Sequence, residues 1–257
     1  MDDLVVYIEG IGWWSRGVPG WPAAAALLRG DGAWPLATDA SRPAATVLPP
    51  GERRRAPEPV LLACEVAAQA CAMAGRDAAG VACVFTSMHG DIATTDALCT
   101  TLAGNPLEVS PTKFHNSVHN APVGYWSVAT GCHAASNAVS AWRGSLAAGL
   151  FEAAVEAHAD AAPVLLAAYD IAARGPLADT LHSPDPVGAA LLLNATCGPS
   201  ACAALRLRHA VRADSASLPD SPLAMARSLF AALARGGPAT AILPAGAASV
   251  LEIEVLA

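Results

Sequence analysis

Short runs of consecutive apolar residues, separated by helical segments, restrict the fold of this chain more than any other feature. A strand that is apolar on both sides must be covered on both faces, and such strands are typical of sheets buried between layers of helices. Strands alternating with helices indicate an α/β protein. The sequence therefore predicts an α/β fold with buried strands at 80–86, 136–141, 164–169, 188–193 and 203–208.

The helical segments between these runs are marked by apolar spacing of three and four and by terminal glycines or prolines. The predicted helices span residues 21–29, 59–74, 91–103, 112–131, 146–158 and 221–235. An opening strand at 4–8 is expected to run into a turn at Gly10-Ile11-Gly12, and the Pro-rich segment 42–59 is expected to be a loop. After Leu193 the remaining residues suffice for a strand, one helix and a closing hairpin that ends in a strand at 250–256.

Composition limits the classes of partner. Charged residues make up only 14% of the chain and hydrophobic residues 54%, which reflects either the abundance of alanine or an extensive subunit interface. The net charge is −7. The sole basic cluster, Arg53-Arg54-Arg55, is too short for a nucleic-acid footprint and is interpreted as a solvated helix start.

The sequence carries no clear signal for a cofactor, a metal ion, export or membrane insertion. Gly10-Ile11-Gly12 lacks the third spaced glycine of a dinucleotide fingerprint. His115 and His119 have metal-ligand spacing, but no carboxylate or cysteine accompanies them at helical spacing, so a hydrogen-bonded interface pair is expected instead. The acidic Met1-Asp2-Asp3 start, the absence of a long apolar run and seven scattered cysteines without a CxxC pair favour a cytosolic protein with reduced thiols and no transmembrane segment.

The order of elements resembles the first half of a thiolase-fold ketosynthase. Ser110-Pro111 is similar to the pair that opens the interface segment of that family, and Asn120 and Gly124 fall on the Asn and Gly of the segment. The strands at 164–169 and 188–193 are similar to those that follow the family's nucleophile elbow. The resemblance implies one ketosynthase-like domain over 1–257, with residues 1–195 as the first thiolase-like half and 196–257 as a reduced remnant of the second.

The resemblance also implies that this chain cannot carry out a ketosynthase condensation by itself. Along the ungapped match, the family's catalytic cysteine falls on Arg143, which cannot be acylated. None of the seven histidines lies in a setting like those of the family's two catalytic histidines. We therefore expect no catalytic residue. We expect Arg143 either to plug the vestigial pocket or to pair with a carboxylate across the interface, and the other interpretation is a surface arginine at a helix start.

A second register places the nucleophile at Cys132. The stretch from Ser127 to Cys132 superficially resembles the family's strand and nucleophile. In that case the chain would be an independent acyltransferase or thioesterase, with His133 or His115 as the base. Adjacent residues seldom present the geometry that a nucleophile and its base require. The other interpretation of Cys132 is a structural thiol in a loop after a helix.

The run from Ser110 to Ser127 is also similar to short ketosynthase-like proteins of the chain-length-factor type from aryl-polyene pigment pathways, including the xanthomonadin type. This resemblance implies a non-catalytic subunit of a full-length ketosynthase, which reaches acyl carrier protein through that partner; a structural scaffold for pathway enzymes is the remaining alternative. The strand at 136–142 is expected to pair antiparallel with the partner's strand. The expected interface and tunnel residues are Phe114, His115, Asn116, His119, Asn120, Tyr125, Trp126, Trp142 and Arg143.

Overall fold

The computed structural model describes residues 4–35, 41–212 and 218–256. The acidic start at Met1–Asp3, on which part of the cytosolic expectation rests, lies outside these residues. The helices are α1 Trp21–Arg29, α2 Pro50–Arg55, α3 Glu58–Ala74, α4 Ile92–Gly104, α5 Pro111–Asn116, α6 Ala121–Thr130, α7 Ser145–Ala159 and α8 Pro222–Ala234. The strands are β1 Leu4–Ser15, β2 Ala82–Thr86, β3 Ser136–Val139, β4 Val164–Asp170, β5 Val187–Asn194, β6 Ala203–Val211, β7 Ala239–Gly246 and β8 Ser249–Leu256.

All eight strands join one mixed sheet in the order β3-β2-β4-β5-β1-β6-β8-β7. The strands β3, β2 and β4 run parallel, and every later neighbour in the order is antiparallel. The apolar runs predicted as buried strands are confirmed in β2, β4 and β5, which are buried along most or all of their length. The runs at 136–141 and 203–208 also form strands, β3 and β6, but the prediction that they are buried was wrong: no residue of β3 is fully buried, and β6 is buried only in part, because β3 lies at the sheet edge and β6 has one solvated face. The predicted closing hairpin is also present, as β7 and β8.

Helices cover the two faces of the sheet unequally. On one face, α3 and α6 bury a core against the β2, β4, β5 and β1 strands. On the other face, α1, α7 and α8 pack on the sheet, and α7 contacts both β2 and the distant β7. Since β2 and β7 lie near opposite ends of the strand order, the sheet curls around α7 and α8.

The second half of the sheet has one solvated face. On β6 and β8, Arg206 pairs with Glu254 and Arg208 pairs with Glu252 across the ladder. These side chains are partly exposed, and the alternation of buried and exposed residues along β8 is that of an antiparallel strand with one wet face. The segment after Leu193 therefore adds β6, β8 and β7 to the sheet and leaves one side of β6 and β8 in water.

One predicted helix, one predicted loop and one predicted turn differ from the structure. The single helix expected at 112–131 is two short helices, α5 and α6, because the chain turns at Ser117–Asn120 before Pro122 starts α6. The segment expected to be a loop at 42–59 contains α2 and the start of α3, which begin at prolines tolerated in a first helical turn.

The turn expected at Gly10-Ile11-Gly12 is the middle of β1. A β-bulge lies between Ile8 and Gly10, and the strand continues to Ser15. The glycines are required because α3 passes very close to the strand. A Cβ on Gly12 would lie 2.1 Å from the carbonyl oxygen of Val66. Glycine inside a strand marks such an approach as well as a turn.

A buried ion pair fixes the end of α3 to β1. Glu9 is 1% exposed and accepts hydrogen bonds from Arg76 at both carboxylate oxygens, at 2.8 and 2.9 Å. The side chain of Asn194 donates a third hydrogen bond to Glu9 at 2.9 Å. The bidentate geometry and the additional donor offset the cost of burying the carboxylate. This contact holds α3 at a fixed distance from the sheet.

Candidate functional site

A tight elbow joins β3 to α7 and forms the centre of the candidate site. The backbone of Trp142 has φ of 52°, in the left-handed region, where a bulky residue costs roughly 1–2 kcal/mol. Arg143 is the next residue, within a short 3₁₀ turn that leads into α7. The strained position is therefore occupied by Trp142, and Arg143 follows it by one residue.

Hydrogen bonds hold the elbow in this conformation. The hydroxyl of Ser145 accepts from the N–H of Ala141 at 2.9 Å and donates to the carbonyl of Trp142 at 2.7 Å. The Thr86 hydroxyl lies 3.0 Å from the Val139 carbonyl and 2.9 Å from the Ser145 carbonyl. The backbone of Ala245 also passes close to the elbow, since a Cβ on Gly144 would lie 3.2 Å from it.

A loop after β2 supports the Trp142 side chain. The imidazole of His89 meets the indole edge to face, with ring centroids 5.3 Å apart. Asp170, at the end of β4, holds this loop by accepting from the Ser87 hydroxyl and the N–H groups of Met88 and His89 at 2.8–3.0 Å. The sequence analysis gave no role to these residues, although an aspartate that ends an apolar strand is a signal for a buried polar anchor.

Burial raises the pKa of Asp170 to about 6, and its three hydrogen bonds oppose that shift. Burial also lowers the pKa of His89. The histidine beside Trp142 is therefore neutral near pH 7, and the site presents an uncharged aromatic pair at the elbow.

We expect the free energy of unfolding to depend on pH through the carboxyl group of Asp170. Because the folded-state pKa of about 6 lies above the ordinary value of 3.8, the folded state binds the proton more tightly, and this group costs stability as pH rises from about 4 to about 6. The cost reaches roughly 3 kcal/mol. The Asp170→Asn variant lacks this titrating group. Its free energy of unfolding relative to that of the wild type should therefore rise by about that amount between pH 4 and pH 7. Urea denaturation measures both values. A difference that does not change with pH would contradict this assignment.

Arg143 is held inside the chain rather than directed at a partner. Its Nη2 donates to the carbonyl of Leu218 at 3.3 Å. The nearby carboxylate is Asp220, whose pKa is lowered chiefly by its hydrogen bond with His182 and further by the charge of Arg143. The carboxylate expected near Arg143 thus comes from the same chain.

Cys132 is a buried thiol in the loop after α6. It is 6% exposed, and its Sγ donates to the carbonyl of Val81 at 3.4 Å. Its near neighbours are other buried cysteines: burial raises the pKa of Cys71 to about 11 and that of Cys83 to about 12. The adjacent His133 is exposed on the surface. This geometry favours the interpretation of Cys132 as a structural thiol.

Exposed and buried cysteines of the native protein should differ in their rates of alkylation. Cys99, Cys197 and Cys202 are exposed, whereas Cys64, Cys71, Cys83 and Cys132 are buried. Burial of its thiol raises the pKa of Cys202, so Cys99 and Cys197 are the two compared with Cys132. Since the thiolate must be accessible to react, iodoacetamide should modify Cys99 and Cys197 at least about tenfold faster than Cys132. Peptide mass spectrometry over time measures the rates. Rapid modification of Cys132 in the folded protein would revive the acyltransferase interpretation.

The predicted interface residues separate into surface and core. Phe114 is 65% exposed and Trp142 is 54% exposed, and His115 and Asn120 also lie at the surface. Trp126 is 1% exposed and packs against Phe85 with ring centroids 6.4 Å apart. This corrects the expectation for Trp126.

Three further predicted residues serve mainly inside the chain. Asn116 is buried and accepts from the Tyr125 hydroxyl at 3.3 Å, which corrects the expectation that Asn116 faces a partner. His119 contacts the carbonyl of Val139 through Nε2 at 3.2 Å, so it packs α6 onto β3. Within residues 4–35, 41–212 and 218–256, no three His, Cys, Asp or Glu side chains lie close enough to hold a metal ion.

The surface around β3 is strongly apolar. The strand β3 lies at the end of the sheet, and its outer side pairs with no strand of the described residues. Ten large apolar side chains are exposed in the described part of the chain, and eight of them fall between residues 102 and 155. We call the following residues around β3 the edge face: Phe114, Val118, Val128, Trp142, Phe151 and Val155.

The edge face flanks β3 on both sides of the sheet. Val128 lies on α6, which contacts β3 on one side, and Val155 lies on α7, which contacts β3 on the other. The Asn137 side chain of β3 bonds to Glu156 of α7. Exposed apolar side chains grouped on the elements that flank a strand edge indicate an interaction site, whereas single exposed apolar residues do not. None of the helices in the described residues is long and apolar enough to cross a membrane.

Comparison with known proteins places this architecture in a family. The model of the beta-ketoacyl synthase N-terminal domain matches residues 29–235. No curated protein is a significant match.

Solved structures are similar over almost the whole chain. A ketosynthase (ApeO) in complex with its chain length factor (ApeC) from Xenorhabdus doucetiae matches with a TM-score of 0.77 and 24% identity, over 98% of this chain and 99% of that one. The AntDE:AntF complex, a type II PKS acyl-carrier protein with its ketosynthase, matches with a TM-score of 0.76 and 11% identity over 100% of both chains. The ishigamide ketosynthase/chain length factor matches with a TM-score of 0.70 and 14% identity, over 98% of this chain and 100% of that chain.

The likeness to these structures confirms the predicted thiolase-like fold. It extends over 98–100% of this chain, including the region after β5. Since the family model covers most of the sequence as well, this chain belongs to the beta-ketoacyl synthase family, which it matches through the N-terminal domain of that family.

Proposed function

We propose that this chain is a non-catalytic, chain-length-factor-like subunit that pairs with a full-length ketosynthase in the cytosol. The partner carries out the chemistry: acyl transfer to its own cysteine, then decarboxylative condensation with a malonyl thioester on acyl carrier protein. This chain stabilises the partner and shapes the space in which a polyene or fatty-acyl chain grows. Residues 196–257 are the reduced remnant of the second ketosynthase half.

The observation that carries this proposal is the unpaired edge of β3 inside an apolar surface. An exposed strand edge pairs readily with another strand, and folded proteins normally protect such edges with charge, proline or a covering segment. Here the edge is flanked instead by Val128 on one side and Val155 on the other. A partner strand added to β3 would satisfy the outer main-chain groups while the flanking helices bury apolar area.

The elbow supports a non-catalytic role. A ketosynthase needs a thiolate at the start of a buried helix, where backbone N–H groups hold the acyl oxyanion. In this chain the elbow carries Trp142 at the strained position and Arg143 after it. Neither side chain can form an acyl thioester. The conclusion is the same whether the family's cysteine corresponds to Arg143, as in the ungapped match, or to its neighbour.

The structural likeness supports the choice of partner. Two of the matched structures are described as a ketosynthase with its chain length factor. The aryl-polyene assignment rests on the similarity of residues 110–127 to chain-length-factor-type proteins of that pathway. A polyene product is therefore the one that we propose for the pair.

Co-expression with the full-length ketosynthase encoded nearest to this chain tests the proposal. The expected result is a 1:1 heterodimer in size-exclusion chromatography with light scattering, and condensation activity in the heterodimer but not in this chain alone. A chain that stays monomeric and binds no ketosynthase would refute the proposed function. A heterodimer that leaves activity and product length unchanged would favour a scaffold.

A further inference from the structure

A single carboxylate holds the loop that follows β2. Asp170 ends β4 and is 5% exposed. Its Oδ1 accepts from the Ser87 hydroxyl at 2.8 Å and from the His89 N–H at 2.9 Å, and its Oδ2 accepts from the Met88 N–H at 3.0 Å. We call residues 87–90 the support loop. Because all three donors are consecutive residues of this loop, the position of the loop depends on the charge of one side chain.

The support loop connects Asp170 to the elbow. The His89 ring meets the Trp142 indole edge to face, with ring centroids 5.3 Å apart. Trp142 belongs to the edge face and is 54% exposed. Its backbone lies in the left-handed region, and a bulky residue keeps that conformation only where the surrounding structure imposes it. A support loop that leaves Asp170 would therefore remove one support of this strained residue.

The support loop also reaches β3. The Ser87 hydroxyl accepts from the Gly90 N–H at 2.7 Å. Gly90 lies beside the His119 ring, since a Cβ on Gly90 would be 3.5 Å from Nδ1 of that ring. The Nε2 of the same ring contacts the carbonyl of Val139, at the end of β3, at 3.2 Å. The strand and the elbow that border the edge face thus share one anchor, Asp170.

Apolar side chains surround the rest of the carboxyl group. A cavity of about 30 Å³ beside Asp170 is lined mainly by hydrocarbon from β5, α7 and α8, including Val187, Leu146 and Met225. Burial raises the pKa of Asp170 to about 6. The group therefore changes its charge within about one pH unit of neutrality, far above the ordinary range of an aspartate.

The other titratable groups near Asp170 are neutral or engaged elsewhere. Tyr169, the preceding residue of β4, is a phenol whose pKa is raised by burial, and burial lowers the pKa of His89 in the support loop. Asp91, at the start of α4, accepts from the backbone N–H and the hydroxyl of Thr94. Among the described residues, those of β5, α7 and α8 that line the cavity carry no charge. The change of charge near pH 6 is therefore that of Asp170 itself.

Protonation weakens the hold of Asp170 on the support loop. Hydrogen bonds to a carboxylate are about twice as strong as those between neutral groups. Both oxygens already accept from O–H or N–H groups, so a proton on either one displaces a donor. The three hydrogen bonds also lower the pKa of Asp170 against the effect of burial. When the loop has moved away, the buried carboxyl has a higher pKa, and by linkage protons favour that state.

We propose that Asp170 is a pH-sensitive switch for partner binding. Its carboxylate holds the support loop, Trp142 and the end of β3 in the form that the ketosynthase binds, and its protonation releases them. This inference rests on the proposed function, since the ketosynthase is the partner. The heterodimer is then weaker in acidic than in neutral solution, because in acid the partner must also order the released loop.

Calorimetric titration with the partner ketosynthase at pH 8 and at pH 5 tests the switch. Asp170→Asn keeps the size of the side chain, but its amide nitrogen accepts no hydrogen bond, so the variant imitates the protonated state at every pH. The Kd of this variant divided by that of the wild type should be about ten at pH 8 and about one at pH 5. Titration of the partner and of the exposed histidines cancels in this ratio. A ratio that is equal at the two pH values would overturn the inference.

Two further variants identify the group that titrates. His89→Phe keeps an aromatic ring against Trp142 and should retain the pH dependence of the wild type; its loss would assign the effect to the imidazole and overturn the inference. Ser87→Ala removes one donor and leaves the carboxylate. The pH at which the Kd changes should then move upward, because this hydrogen bond lowers the pKa of Asp170. If Asp170→Asn does not fold, an unchanged transition in Ser87→Ala still overturns the inference.

Hydrogen exchange of the isolated chain measures the switch without a partner. After correction for intrinsic exchange rates, protection of the Met88 and His89 amides should fall about tenfold from pH 8 to pH 5 in the wild type and should be low at both in Asp170→Asn. Protection that is independent of pH would contradict release of the loop. If protection changes as expected but the wild type binds no ketosynthase at either pH, the proposed function fails, whereas the coupling of Asp170 to the support loop stands.

Discussion

Gly12→Ala should destabilise the protein by at least about 4 kcal/mol, more than the roughly 1–3 kcal/mol typical of an overpacked core. The added Cβ would lie 2.1 Å from the carbonyl oxygen of Val66 and 3.1 Å from its Cα. The obstacle is helix backbone, which no rotamer change can move. Urea unfolding followed by circular dichroism measures the loss.

The helix α3 cannot retreat to make room for the added methyl group. The Trp13 N–H donates to Gln69 at 3.0 Å, and Arg76 binds the buried Glu9. The helix is also buried along most of its length between the sheet and α6. Moving α3 would break these contacts together, so the clash is relieved only by a rearrangement of the whole layer.

Two other glycines provide a graded control. Gly104→Ala, at the end of α4 with no neighbouring atom within 4 Å, should stabilise the protein by about 0.4–1 kcal/mol through the unfolded state. Gly188→Ala would meet the Val66 and Leu62 side chains at 2.8–3.0 Å and should cost about 1–3 kcal/mol. If Gly12→Ala fails to fold, the stabilities of Gly104→Ala and Gly188→Ala relative to the wild type still test the packing. Equal stability of Gly12→Ala and Gly104→Ala would contradict the close approach of α3.

Val128→Glu should weaken the proposed heterodimer about a hundredfold in Kd. Val128 is 82% exposed on α6, so the isolated chain should tolerate the carboxylate with little change in stability. Once a partner covers the edge face, the carboxylate would be buried without a cation, at a cost of roughly 3 kcal/mol. Isothermal titration calorimetry with the partner ketosynthase gives the affinity.

Val211→Glu is the matched control for this experiment. Val211 is also 82% exposed, but it ends β6, and four strands separate β6 from β3 in the sheet. The same change in chemistry there should leave the Kd within about twofold of the wild type, because surface charges outside an interface act only through screened long-range fields. Equal weakening by both variants, or by neither, would show that the edge face is not where the partner binds.

Local sequence patterns predicted most elements of the fold because they depend on nearby residues. The apolar runs of β2, β4 and β5 are buried on both faces of the sheet and therefore visible in the sequence. The β7–β8 hairpin and α8 followed from composition and turn residues. The prediction failed where two local signals compete. The glycines at 10 and 12 are typical of a turn. In the structure they leave room for the backbone of α3, which is more than fifty residues away in sequence.

The candidate site was predictable only in part. The sequence placed the elbow near Arg143, and it named Phe114 and Trp142, which the structure leaves exposed, as interface or tunnel residues. It also named Asn116 and Trp126, which are buried, because a helix six residues long and a turn change which side chains face the sheet. The roles of His89 and Asp170 depend on a loop from β2 meeting the end of β4, and no local pattern encodes that meeting.

The sequence alone thus determined the α/β class, the burial of β2, β4 and β5 and the residues Trp142 and Arg143 at the elbow, since these depend on residue type and short-range spacing. The tertiary structure decided which apolar residues remain exposed, how the sheet curls around α7 so that the β7–β8 turn reaches Gly144, and why Trp142 is strained. These features arise from contacts between segments far apart in sequence. Their energies depend on how closely backbones approach, and that distance is set by the packing of all the layers together.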